Sequence, residues 1–151
     1  MYTIEFGHLV LSSFFTTSFS LFEIYLKKTV EFVDKINNRN PLRDDLRSGI
    51  IEKITKHLYT NHSIASAEKS NLQLKELKAY RSIRNAIVHS LNKINTGNIQ
   101  TYLSYLKQFK IVFDNRTNLV RIEDIGFLED FHQLILKYGI CINKDIINQY
   151  Q

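Results

Sequence analysis

The chain has 151 residues, 44% of them apolar and 23% charged, with a net charge of +5; that size and balance suit one globular domain with a core of its own. A pI near 9.3 points to an anionic partner, nucleic acid first, although a small lysine excess also serves solubility. The single cysteine, Cys141, excludes an internal disulfide framework and a multi-cysteine zinc site, and it fits a reducing cytoplasm.

Residues 9–22 are apolar enough to suggest a secretory leader. No Lys or Arg precedes Lys27, however, Glu5 sits where a basic region belongs, and no small-residue cleavage site follows. Serines and threonines interrupt the run, which falls short of the roughly 18 apolar residues of a membrane span. A buried helix without membrane association is expected. From about Ser12 to Ile36, Phe15, Phe19, Phe22, Leu26, Val30 and Val33 recur at steps of three and four, the helical period. The segment Asn37-Asn38-Arg39-Asn40-Pro41 ends that helix, because the residue before a proline avoids the α region.

A second helix is expected from Asp44 or Asp45, whose charge suits a helix N-terminus, to about Tyr59. A third runs from about Asn71 to Ser90. After a loop at 92–97, Thr96 or Asn98 offers a cap for a fourth helix reaching about Phe109. Ile111-Val112-Phe113 and Leu119-Val120-Arg121-Ile122 flank the turn-forming residues 114–118, which is compatible with a short β-hairpin over 111–122. A last helix is expected over about Ile125–Tyr138. One proline and five glycines leave little room for the turns of a sandwich or barrel. The expectation is a single all-α domain over 1–151, a bundle of about four to six helices.

The third helix carries the chemistry. At 100° per residue from Arg81, Arg84 falls near 300°, Asn85 near 40° and His89 near 80°, while Tyr80, Ile83, Ala86 and Ile87 fall between about 140° and 260°. Ile83 and Ile87 therefore face a core, and Arg81, Arg84, Asn85 and His89 share another face. Val88, at about 340°, is apolar amid that polar stripe, as it would be if this face packs on a second protein surface. From the residue counts, roughly 0.02 occurrences of Arg-Asn-x-x-x-His are expected by chance. The bland alternative is a solvated or ion-paired face near a helix C-terminus, where the dipole favours cations. His57 and His62, five apart with no cysteine or carboxylate at ligand spacing, do not suggest a metal site, and neither do the isolated His8 and His132. No cofactor motif is present in the sequence.

Arg84-Asn85-Ala86-Ile87-Val88-His89 resembles the Arg-Asn-x-x-x-His signature of the HEPN superfamily. These small helical bundles occur in toxin–antitoxin, abortive-infection and CRISPR-associated proteins, and many are metal-independent endoribonucleases. A long first helix (Phe14–Ile36), a motif-bearing third helix and a closing apolar helix (Phe127–Tyr138) are similar to that layout. The loop Ser90–Gly97, with its Asn and Gly, is similar to the small stand-alone branch.

The resemblance implies a homodimer whose motif faces meet in one composite site, a cytoplasmic location, an RNA substrate and an antitoxin or defence-system partner. It also implies RNA cleavage through the 2′-hydroxyl, with 2′,3′-cyclic phosphate ends. His89 would transfer the proton, Arg84 would bind the scissile phosphate, and Asn85 would orient the histidine or a phosphate oxygen. Arg81 would be a second phosphate contact. Glu23 either pairs with Lys27 at i, i+4 or acts as a first-helix acid that holds Arg84 or Arg81. In one regulated subgroup a tyrosine two positions after the histidine is adenylylated. Leu91 stands there in this chain and excludes that modification at this position. A non-catalytic HEPN-like module that dimerises and binds RNA or a partner protein is the alternative.

Overall fold

A computed structural model describes residues 2–42, 49–89, 91–93, 104, 106 and 108–151. The chain is all-α with one short hairpin, as the breaker count suggested. Its elements are α1 (Tyr2–Ile36), α2 (Ile50–His62), a 3₁₀ turn (Ala65–Ala67), α3 (Leu72–His89), β1 (Val112–Asp114), β2 (Leu119–Arg121) and α4 (Gly126–Tyr150). Ser104, Leu106 and Gln108 are also helical; most of the expected fourth helix, with both its candidate caps, lies outside the described residues. The chain divides into two compact units, Met1–Phe19 with Leu77–Leu134, and Ser20–Glu76 with Ile135–Gln151. Each of α1, α3 and α4 contributes residues to both.

In the first unit the core is aromatic. Phe15 and Phe19 of α1, Tyr80 of α3, and Phe127 and Phe131 of α4 are all buried. Phe15 meets Phe127 and Phe131 edge-on at 4.9 and 5.1 Å, Phe19 stacks on Phe131 at 5.6 Å, and Phe109 stacks on Tyr80 at 4.3 Å. Such pairs contribute about 0.5–1.5 kcal/mol each beyond the area they bury. The strands pair antiparallel, Phe113 opposite Val120, and the Asp114 carboxylate closes the turn by accepting from Arg116 N–H and Thr117 O–H. Val120 and Ile122 carry that hairpin into the core.

His8 is buried beside β2. Its Nδ1 accepts from the Ile122 N–H at 3.0 Å and lies 3.1 Å from the Ser12 hydroxyl, while Nε2 meets the Asn92 side chain at 3.1 Å. Burial, then the charge of Arg121, pushes the imidazole below its ordinary 6.5. The folded chain therefore resists a proton that the unfolded chain accepts. Stability is present above the unfolded value and falls as pH drops from about 6.5 towards the folded one. Urea midpoints should decline between about pH 7 and pH 5, and His8→Gln should flatten that decline whatever it does to the midpoint at pH 7. An equally steep decline in His8→Gln would remove His8 as its source.

In the second unit Phe22, Leu26, Val30 and Val33 of α1 are buried, together with Ile51, Ile54 and Leu58 of α2 and Tyr138, Ile142 and Ile146 of α4. Three helix boundaries in this unit differ from expectation. Helix α2 begins at Ile50, after Gly49 at φ 70°, a left-handed conformation that glycine adopts without penalty; positions 44 and 45 lie outside the described residues. It also runs past Tyr59 to His62, where Ser63 (φ 56°) and Ile64 return their N–H groups to the carbonyls of Tyr59 and Leu58. Helix α4 runs past Tyr138 to Tyr150 because Gly139 admits a neighbour. The Tyr25 ring lies 3.5 Å from where a Cβ would stand, and its hydroxyl donates to Asn143 Oδ1 at 3.0 Å.

Helix α1 begins earlier than expected and is buried on one face only. Phe6, Leu9, Phe14, Leu21, Ile24 and Phe32 are exposed, and at 100° per residue they lie opposite the core-facing row. By length and composition Phe6–Ile36 meets the requirement of a membrane span, which the run 9–22 did not; a core helix can meet the same requirement.

Candidate functional site

Helix α3 starts where Asn71 accepts the Leu74 N–H on its side chain at 3.1 Å, the bond of a helix N-cap. It ends at His89, after which Leu91 (φ 49°) and Asn92 (φ 65°) turn the chain and Asn92 N–H returns to the Ala86 carbonyl at 3.0 Å. Asn92 then accepts from Val120 N–H at 2.8 Å, and Lys93 bridges Leu119. The C-terminal end of the helix is thus pinned to the hairpin. Tyr80, Ile83 and Ala86 are buried as expected, but Ile87 is only half-buried.

The motif residues come together on the remaining face. Arg84 Nη1 donates to Asn85 Oδ1 at 3.2 Å and to His89 Nε2 at 3.4 Å. A guanidinium has only donors, so this contact is a hydrogen bond in the form of His89 whose Nε2 is unprotonated. His89 is exposed, while Arg84 and Asn85 are half-buried, with Arg84 Nε buried and no hydrogen-bond partner for it among the described residues. The amide therefore orients the arginine, and the arginine in turn meets the histidine; the sequence had suggested that Asn85 orients His89 or a phosphate oxygen. Val88, 45% exposed on this helix, and Leu91, 84% exposed two residues past His89, are apolar.

Arg81 is half-buried on the same helix and has a partner within the chain. Glu23 is half-buried on the part of α1 that belongs to the second unit, and it too has a partner.

Sequence reasoning missed a second cluster. In the second unit Asp34, near the end of α1, accepts on one oxygen, Oδ1, from both His57 Nε2 at 2.8 Å and His62 Nε2 at 2.7 Å. The Asp34 and His62 side chains are 2% and 1% exposed, and that of His57 is 11% exposed. Around them, Asn61 meets His57 Nδ1 and the Tyr150 hydroxyl meets His62 Nδ1, both at 2.9 Å, and Leu42 N–H donates to the other Asp34 oxygen at 3.3 Å. Burial pushes the Asp34 carboxyl up, but the hydrogen bonds donated by His57 and His62 outweigh it and hold the group below the ordinary carboxylate range. The carboxylate absent from the local spacing of His57 and His62 is supplied from another helix.

No known family model matches the chain, and neither a curated protein nor a solved structure shows significant similarity to it.

Proposed function

We propose that the protein is a metal-independent endoribonuclease acting as a homodimer in a toxin–antitoxin or anti-phage defence system. The observation that carries this reading is the hydrogen-bonded trio at the end of α3: an exposed imidazole whose Nε2 is held against a guanidinium. Cleavage forms a bond from the 2′-oxygen to phosphorus and breaks the bond from phosphorus to the 5′-oxygen. It needs a group that takes the 2′-hydroxyl proton and returns a proton to the departing 5′-oxygen, and a cation that balances charge on the pentacoordinate phosphate. His89 Nε2 and Arg84 have those properties, and Asn85 positions Arg84. When RNA arrives, its phosphate takes over the guanidinium contact and leaves Nε2 to the 2′-hydroxyl. The exposed Val88 and Leu91 support a second copy packing beside the motif, so that each site is completed by its partner. The net charge of +5 is compatible with an RNA substrate.

The test is incubation of purified protein with total RNA in chelator, wild type beside His89→Ala. The expected products carry 2′,3′-cyclic phosphate ends and are missing with His89→Ala, whose circular dichroism and molar mass in solution stay those of wild type. Undiminished degradation by His89→Ala would overturn the assignment. Absence of cleavage by both, with a dimer that retains RNA, would favour a non-catalytic module that dimerises and binds RNA or a partner.

A further inference from the structure

We infer that Asp34, His57 and His62 form a binding site for a divalent transition-metal ion of the zinc class, with a fourth position open to water or another small ligand. Two imidazole nitrogens and one carboxylate oxygen are a donor set that suits zinc, iron or cobalt in the divalent state, and three protein ligands leave such an ion incompletely coordinated. The three ligand atoms all lie within 4.8 Å of one another, and two of the separations are 2.7 and 2.8 Å. Bonds of about 2.0–2.1 Å in tetrahedral geometry require edges near 3.3 Å, so admitting an ion widens each of these two separations by about half an ångström.

Two further features favour an ion over a plain hydrogen-bonded triad. Each ligand's other polar atom is held from behind, by Asn61, Tyr150 or Leu42 N–H, and such outer contacts fix ring orientation in metal sites. His57, the member nearest solvent, lines a surface hollow of about 440 Å³ with Asn38, Arg39, Asn40 and Asn61, which gives an ion and its fourth ligand a way in. Without metal, both Nε2–H groups donate to Asp34. On binding, each neutral ring gives its Nε2 lone pair to the ion and carries its one hydrogen on Nδ1, where the Tyr150 oxygen and, after rotation of the amide, the Asn61 oxygen accept it. No net proton is released from neutral rings, and the carboxylate stays ionised.

This inference is independent of the cleavage reading. Its test uses the full chain, stripped with chelator, dialysed and titrated with Co²⁺ and then Zn²⁺. Co²⁺ should give visible ligand-field bands that saturate at about one equivalent per chain, and Zn²⁺ should abolish them. Free zinc at about a hundred times Kd should raise Tm by about 5–10 °C. His57→Gln should lose both responses, Tyr150→Phe should weaken the ion by about 10–100-fold, and His89→Ala should behave as wild type. Absence of bands and of any Tm shift in wild type would overturn the site and leave a hydrogen-bonded network, as would bands that persist in His57→Gln. Should His57→Gln not fold, the wild-type titration and the Tyr150→Phe affinity decide.

Discussion

Arg84→Ala, His89→Ala and the double variant should lose nearly the same cleavage activity, each falling by about a hundred- to ten-thousandfold. The reason is that the two act on one phosphate in one step: Asn85 holds Arg84 at 3.2 Å, and before RNA binds Arg84 Nη1 holds the exposed His89 ring in place at 3.4 Å. Residues that act as one unit do not contribute independently, so removing the first member forfeits most of what the second provides. Were the two independent, their losses would multiply to about ten-thousandfold or more. Asn85→Ala should cost less than either, because Asn85 acts through Arg84. The measurement is kcat/KM on one RNA substrate for wild type, both single variants and the double. Multiplying losses would show that the contact is no part of a working unit. His89 is exposed, and its replacement should change stability by no more than about 0.5 kcal/mol, so lost activity would not reflect lost fold.

What the sequence made legible was whatever depends on residues a few positions apart. The row Phe15, Phe19, Phe22, Leu26, Val30 and Val33 has the helical period, and every member is buried. The turn at residues 114–118 was readable because Asp and Asn make local bonds there, as Asp114 does with Arg116 and Thr117. The continuation of α4 past Tyr138 was not readable. Gly139 resembles a helix stop until Tyr25, 114 positions away, comes to rest on it. His8 meets Ile122 across the same separation and looks isolated in one dimension.

The two candidate sites differ in the same way. Arg84, Asn85 and His89 lie within six residues of one helix, so their common face followed from its pitch. Even there the order of contacts did not, because rotamers decide whether the amide reaches the arginine or the histidine. Asp34 lies 23 and 28 positions from His57 and His62. The two histidines also sit five apart, a spacing that separates side chains on an ideal helix by about 140°. Only the arrival of a carboxylate from α1 makes a cluster of them. His62 joins because α2 extends to that residue rather than ending near Tyr59.

Phe131→Ala should destabilise the chain by about 3–5 kcal/mol, a large share of the 5–15 kcal/mol that holds a domain of this kind together. Phe131 is fully buried, and it meets Phe15, Phe19 and Tyr80 with ring centroids 5.1, 5.6 and 5.1 Å away. Truncation removes the transfer free energy of a phenyl group and leaves a cavity bounded by rigid rings, which relax into it poorly. Phe131→Leu, which keeps much of the volume, should cost distinctly less. Leu136, on the same helix, is 64% exposed, and Leu136→Ala should stay within about 0.5 kcal/mol of wild type. Thermal unfolding separates these cases, since about 2–4 °C per kcal/mol puts the Phe131→Ala transition about 6–20 °C below the parent. A loss in Phe131→Ala no larger than in Leu136→Ala would mean that the aromatic cluster is not the core of its unit, and α3 would lose the support on which the motif face depends.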